Sequence, residues 1–137
     1  MQTFLTEQVE KAEKIQAILN HAFGTQNYHR ISQVKGAPIA TDGVVAVANE
    51  AGCFWLLDAI ISYQGNKKLD PDMQVWRLKV REDNNNREAT LYCEDGKKKI
   101  LISQNIEYTD FPLDEIVLWV MPGGPGGESV ILLPTEL

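Results

Sequence analysis

The chain has 137 residues, 44% of them apolar and 23% charged, and a formal net charge of −6. These proportions suit an ordinary globular domain and exclude a disordered, collagen-like or wholly coiled-coil chain. No run of about 18 consecutive apolar residues occurs, which excludes a chain organised around a membrane-spanning helix.

The N-terminal stretch MQTFLTEQVEKAEK lacks a cationic start followed by an apolar run, so no secretory signal is expected. Leu5, Val9, Ala12, Ile15, Leu19 and Ala22 recur at steps of three and four. That spacing predicts a helix over about 4–22, with Gly24 as its stop. In residues 25–40, Tyr28, Arg30 and Ser32 alternate with His29, Ile31 and Gln33, the pattern of a short strand ended by Gly36 and Pro38. Thr41-Asp42-Gly43 opens a second helix over 42–51, because either Thr41 or Asp42 can accept from the free amides of the next turn. Gly52 closes it. A third helix, 53–64, is apolar nearly all round and is expected to lie against the sheet.

From residue 73 the period changes to two. Trp76, Leu78 and Val80 point one way in MQVWRLKVRE, and Arg77, Lys79 and Arg81 the other. Strands are expected at about 73–81, 87–94, 99–104, 115–121 and 129–133. Asn84-Asn85-Asn86 and Asp95-Gly96 supply the turns between the first three. Pro122–Gly127 reads as a connector, since no Lys-Ser/Thr follows its glycines. The expected architecture is a single α+β domain, with N-terminal helices packed on a four- to five-stranded antiparallel meander sheet.

Charge is uneven. Residues 66–99 carry nine basic and seven acidic side chains, whereas residues 100–137 carry six acidic and no basic ones. The net acidity weighs against a nucleic-acid binder, which needs cations to displace phosphate counterions. Cys53 and Cys93 are isolated, which reads as two buried free thiols in a reducing cytoplasm rather than a disulfide or metal site. No metal or cofactor is expected, because no HxxxH, HExxH, GxSxG or phosphate-loop pattern is present.

Several segments carry a resemblance. They are Gly24-Thr25 with Tyr28-His29-Arg30, Thr41-Asp42-Gly43-Val44, AGCFWLLDAI at 51–60 and Gln74-Val75-Trp76. Glu94-Asp95-Gly96, Gln104 and YTDFPL at 108–113 complete the set. Together, over about residues 20–121, the chain resembles a family of small bacterial and phage proteins known only as a domain of unknown function. The resemblance implies a cytoplasmic protein, sometimes carried by mobile elements, and implies no activity. Thr41, Asp42, Trp55, Asp58, Gln104, Tyr108, Thr109 and Asp110 belong to its motifs.

Three function classes follow. The first is a non-enzymatic interaction or regulatory module, forming a homodimer or binding an unidentified protein partner. No catalytic signature is complete, and in the run 116–121 Val117, Trp119 and Met121 alternate with Ile116, Leu118 and Val120, leaving both faces apolar. The second is a small hydrolase-like or ligand-binding protein. His29, Asp42, Asp58, Tyr108 and Asp110 are its catalytic candidates, and Thr41, Trp55, Gln104 and Thr109 its binding candidates. It requires His29 to lie within hydrogen-bond reach of a carboxylate. The third is weak single-stranded nucleic-acid binding on the Arg77/Lys79/Arg81 face beside Tyr92. Against it, the spacing sets Arg81 opposite Glu88, Lys79 opposite Thr90 and Arg77 opposite Tyr92, ordinary pairs across a hairpin.

Overall fold

A computed structural model describes residues 2–21 and 27–137. Helix α1 runs Gln2–His21, followed by strands β1 (Tyr28–Arg30) and β2 (Ile39–Thr41) and helices α2 (Asp42–Ala51) and α3 (Phe54–Ser62). Strands β3 (Gln74–Asp83), β4 (Asn86–Glu94), β5 (Ile100–Ile106), β6 (Glu115–Pro122) and β7 (Ser129–Leu132) complete the sheet. A short 3-10 turn, Pro134–Glu136, follows.

The sheet has seven strands in the order β1-β2-β7-β6-β3-β4-β5. This corrects the expected four- to five-stranded antiparallel meander in three ways. Two short strands join at the β1 end, and β2 runs parallel to β7. The meander also breaks after β5, because β6 pairs with β3 on the other side of the hairpin. Ile39, Ala40 and Thr41 are all buried, so β2 carries no alternation for a sequence reader to find.

The β3–β4 hairpin follows its residues closely. Arg81 stands opposite Glu88, Lys79 opposite Thr90 and Arg77 opposite Tyr92. Asn84 and Asn85 both hold positive φ, 50° and 67°, as a two-residue hairpin loop of matching twist requires. The next turn behaves differently from the expected Asp-Gly bend. Its left-handed residue is Lys98, at φ 70°, while the Asp95 carboxyl accepts from the Lys97 and Lys99 amides.

All three helices contribute to one core against one face of the sheet. Leu56, Leu57 and Ile60 of α3 and Val44, Val47 and Ala48 of α2 pack with Trp76, Leu78, Leu91, Ile116, Leu118, Val120 and Ile131. Each such large apolar side chain contributes about 1.5–3 kcal/mol when taken fully out of water. Trp76 is fixed further by stacking on Tyr63, with ring centroids 5.6 Å apart. Its indole N–H donates to Gln74 Oε1, and Gln74 and Gln64 exchange reciprocal amide hydrogen bonds at 2.9 Å. This polar seal lets the Trp76 edge and the Gln74 amide be buried, with half-buried Gln64 closing the network.

Helix α1 packs on α2 through Ile15, with Ile18 and Leu19 half-buried, whereas Val9 of the predicted stripe is 56% exposed. The Leu5 side chain, Ala22 and the Gly24 stop lie outside the described residues. Among the described residues, no helix is long and apolar enough to cross a membrane.

Candidate functional site

The sheet's other face carries the side chains that strand alternation turns away from the helices. At the β2-β7-β6 end it is apolar: Ile39, Val130 and Leu132, each no more than 6% exposed, cluster with half-buried Trp119 and Met121, and every member of that cluster is a strand residue. Val117, on the same face of β6, is half-buried. The run 116–121 is thus divided. Ile116, Leu118 and Val120 join the helix-side core, Trp119 and Met121 pack in the strand-face cluster, and Val117 lines a groove with Gln16 and Leu19 of α1.

The β3-β4-β5 end of this open face is ionic. Arg77 lies between Glu94, at 2.6 Å, and Glu115, at 2.8 Å. Those two hydrogen bonds, Glu94 first, hold its pKa above the usual value. Arg81 donates to Thr90 at 2.6 Å and sits 3.9 Å from Glu88. A shallow groove of about 430 Å³, lined by Lys79, Arg81, Thr90, Tyr92 and Ile100 among others, crosses this half. Two of the three strand-face cations therefore already have carboxylates, which removes much of the charge a phosphate backbone would need.

His29 and Asp42 meet. His29 Nε2 lies 2.6 Å from Asp42 Oδ1, with the two side chains 43% and 44% exposed. Asp42 Oδ2 also accepts from the Asn27 amide at 3.2 Å. The His29 hydrogen bond is the main reason the Asp42 carboxyl is held below its ordinary 3.8. Its local origin is simple: β1 and β2 pair antiparallel with His29 opposite Ala40, two residues before Asp42 starts α2.

The other candidates lie elsewhere. Asp58 is on the exposed side of α3 and makes no hydrogen bond among the described residues. Trp55 is half-buried against the helix-side core. Gln104, on β5, accepts from the Tyr63 hydroxyl at 2.7 Å. Thr109 is buried, and its hydroxyl accepts from the Phe111 amide, which is turn chemistry. Tyr108 is 72% exposed. It lines a second groove of about 430 Å³ with Thr109, Asp110, Glu82 and Arg87.

Two residues that hold this region together escaped the sequence reading. Arg87 reaches across from β4 to donate to the Phe111 carbonyl at 2.7 Å and the Glu82 carboxyl at 2.7 Å, pinning the YTDFPL segment to the hairpin. Glu136 is buried at the start of α2, where its carboxyl accepts from the Thr41 hydroxyl at 2.6 Å and from the Gly43 and Leu133 amides. Thr41 in turn accepts from the Val44 amide as the helix N-cap. Only the helix-opening Thr41-Asp42-Gly43 pattern hinted at this arrangement, since a negative group is favoured at a helix start.

Cys53 and Cys93 are both buried and unpaired. Burial pushes the Cys53 thiol up to about 12, with the Asp110 charge adding to the effect, and burial pushes Cys93 up to about 11. Among the described residues, no group of three or more histidines, cysteines or carboxylates is placed to hold a metal.

A comparison with curated proteins finds no match. A crystal structure of a protein of unknown function from Enterococcus faecalis is similar over 81% of this chain and 98% of its own, at 17% identity and a TM-score of 0.48. A family model matches residues 13–137, nearly the whole chain, and the chain belongs to that family, the family of unknown function DUF6876.

Proposed function

We propose that this protein is a non-enzymatic interaction module of the cytoplasm that binds another protein through the apolar half of its open sheet face. One observation carries the reading. Buried Ile39, Val130 and Leu132 and half-buried Trp119 and Met121 form an apolar cluster on the sheet face turned away from the main core, and every described member of it is a strand residue. Strand faces packed with large apolar side chains are stabilised by being covered, and an aromatic at the centre of such a patch is a common anchor for a partner. Two buried unpaired thiols suit a reducing compartment.

The hydrolase-like alternative keeps one favourable observation, the 2.6 Å contact of His29 with Asp42. Such a pair can orient a general base. Its other candidate residues do not join it: Asp58, Tyr108 and Asp110 sit on other elements and form no described hydrogen bond with either member. The dyad fits a clamp that ties β1 and Asn27 to the start of α2.

The test is site-directed crosslinking in living cells, with a photoreactive amino acid at position 117 and control positions 58 and 13 on the helices. A discrete adduct at 117, absent at both controls and lost when Trp119→Glu is added, is the expected result. An adduct pattern at 117 no different from the controls overturns the reading. Circular dichroism confirms that the Trp119→Glu chain keeps its secondary structure.

A further inference from the structure

The two edges of the sheet differ in a way that points to a second copy of this chain. Edge strand β1 has three residues, one of them Arg30, and is too short to template much pairing. Edge strand β5 has seven residues, Ile100–Ile106, and among the described residues it pairs only with β4. The sequence ILISQNI contains no proline and no charge. Proline and charge are two of the devices that stop an edge from recruiting another strand; a third, an irregularity in register, occurs at Leu101, between the pairs Cys93–Ile102 and Glu94–Ile100, and leaves Ile102–Ile106 regular. Its outer row of amides and carbonyls is therefore an open ladder, and Ile100 beside it is 55% exposed.

The charges flanking β5 select the partner. Lys97, Lys98 and Lys99 precede the strand, and Glu107 and Asp110 follow it. None of these five side chains takes part in an ion pair among the described residues. The strand is thus basic at one end and acidic at the other. Parallel pairing of two copies would set like charges together. Antiparallel pairing about a two-fold axis sets opposite charges together, and a closed two-fold contact uses the same patch on both copies.

We infer that two copies of this chain pair antiparallel through their β5 edges, centred on Ser103, so that Lys99 of each copy stands opposite Glu107 of the partner subunit. The two seven-stranded sheets then form one continuous sheet. Their open faces lie on the same side, so the dimer would present the apolar face twice. The pairing itself does not depend on that face's role.

The experiment is light scattering on the purified full chain across a dilution series. The expected wild-type mass moves from one chain to two as concentration rises. Lys99→Glu alone and Glu107→Lys alone each raise the dissociation constant by about tenfold, because the two-fold axis counts each altered pair twice. Combining Lys99→Glu with Glu107→Lys restores dimerisation. Ser103→Lys, which opposes two ammonium groups at the axis, abolishes it. Trp119→Glu leaves the dimer intact, which separates this proposal from the open-face reading. A wild-type mass fixed at one chain overturns the inference. So does a double variant no better than its singles, a Ser103→Lys chain that still dimerises, or loss of the dimer in Trp119→Glu.

Discussion

Asp42 takes three structural duties on one residue. It starts α2, accepts the His29 ring N–H and accepts the Asn27 amide, so it joins three chain segments at one carboxyl. Its pKa is depressed, mainly by His29. A depressed carboxyl stabilises the fold above its ordinary 3.8, and that contribution is lost as the pH falls through the folded value. His29→Gln should therefore raise the Asp42 titration midpoint toward 3.8, read by carbon-detected NMR of the side-chain carboxyl. An unmoved midpoint would assign the depression to the backbone contact alone. At this scale the sequence was informative about kind and poor about partnership. His29 could be named as a base in need of a carboxylate, but nothing local chose among Asp42, Asp58 and Asp110; the fold brings Asp42 to 2.6 Å. Glu136 could not be tied to Thr41, because 95 residues separate them and only the folded sheet brings them together. Gln74, Gln64 and Arg87 were equally silent, since a polar residue that seals a core looks like any surface polar residue in a string of letters.

The start of α2 shows what an element needs beyond its own periodicity. A cap at Thr41 or Asp42 was legible, because capping is a local property, and the structure selects Thr41. The reason for glycine at position 43 was not. A Cβ there would come within 2.9 Å of the Glu136 carboxyl, so the buried acid and the glycine fit as a pair. Gly43→Ala should cost roughly 1–3 kcal/mol in urea unfolding. The same substitution in a Glu136→Ala background should cost clearly less, because the clash is gone; equal costs in both backgrounds would show that the close approach is not the cause. The strands divide in the same way. β3 and β4 were readable from period two and their register from cross-strand charge pairs, whereas β2, buried at all three residues, had no pattern to read. α1 shows the converse error, in which a regular apolar spacing includes a Val9 that stays exposed.

For the molecule as a whole, the α+β class was legible and the sheet order was not. Class follows from the change of period along the chain, while strand order depends on contacts that no local spacing encodes, such as β6 returning to β3. The core offers its own report on global stability. Cys53 is the N-cap residue of α3 and Cys93 lies near the end of β4, beside the edge strand, both buried and with thiols pushed up to about 12 and about 11. Neither should react with an aromatic disulfide reagent at neutral pH in the folded chain, and both should react after denaturation, because the thiolate is the attacking species. Rapid labelling of either cysteine in native buffer would contradict the burial described for it.

The position of β7 has a consequence for the order in which the chain is made. Strand β7 lies between β2, its parallel neighbour, and β6. The first two strands therefore have no bridge to the main sheet until residues 129–132 exist. A growing chain leaving the ribosome can form its helices and the β3–β4 hairpin early, since both rest on local contacts. It must hold the β1–β2 pair apart from the main sheet, with one side of β2 open, until residues 129–132 have been synthesised. Closure of the sheet is thus a late, non-local event, and the interval before it is when the nascent chain has most to gain from a chaperone.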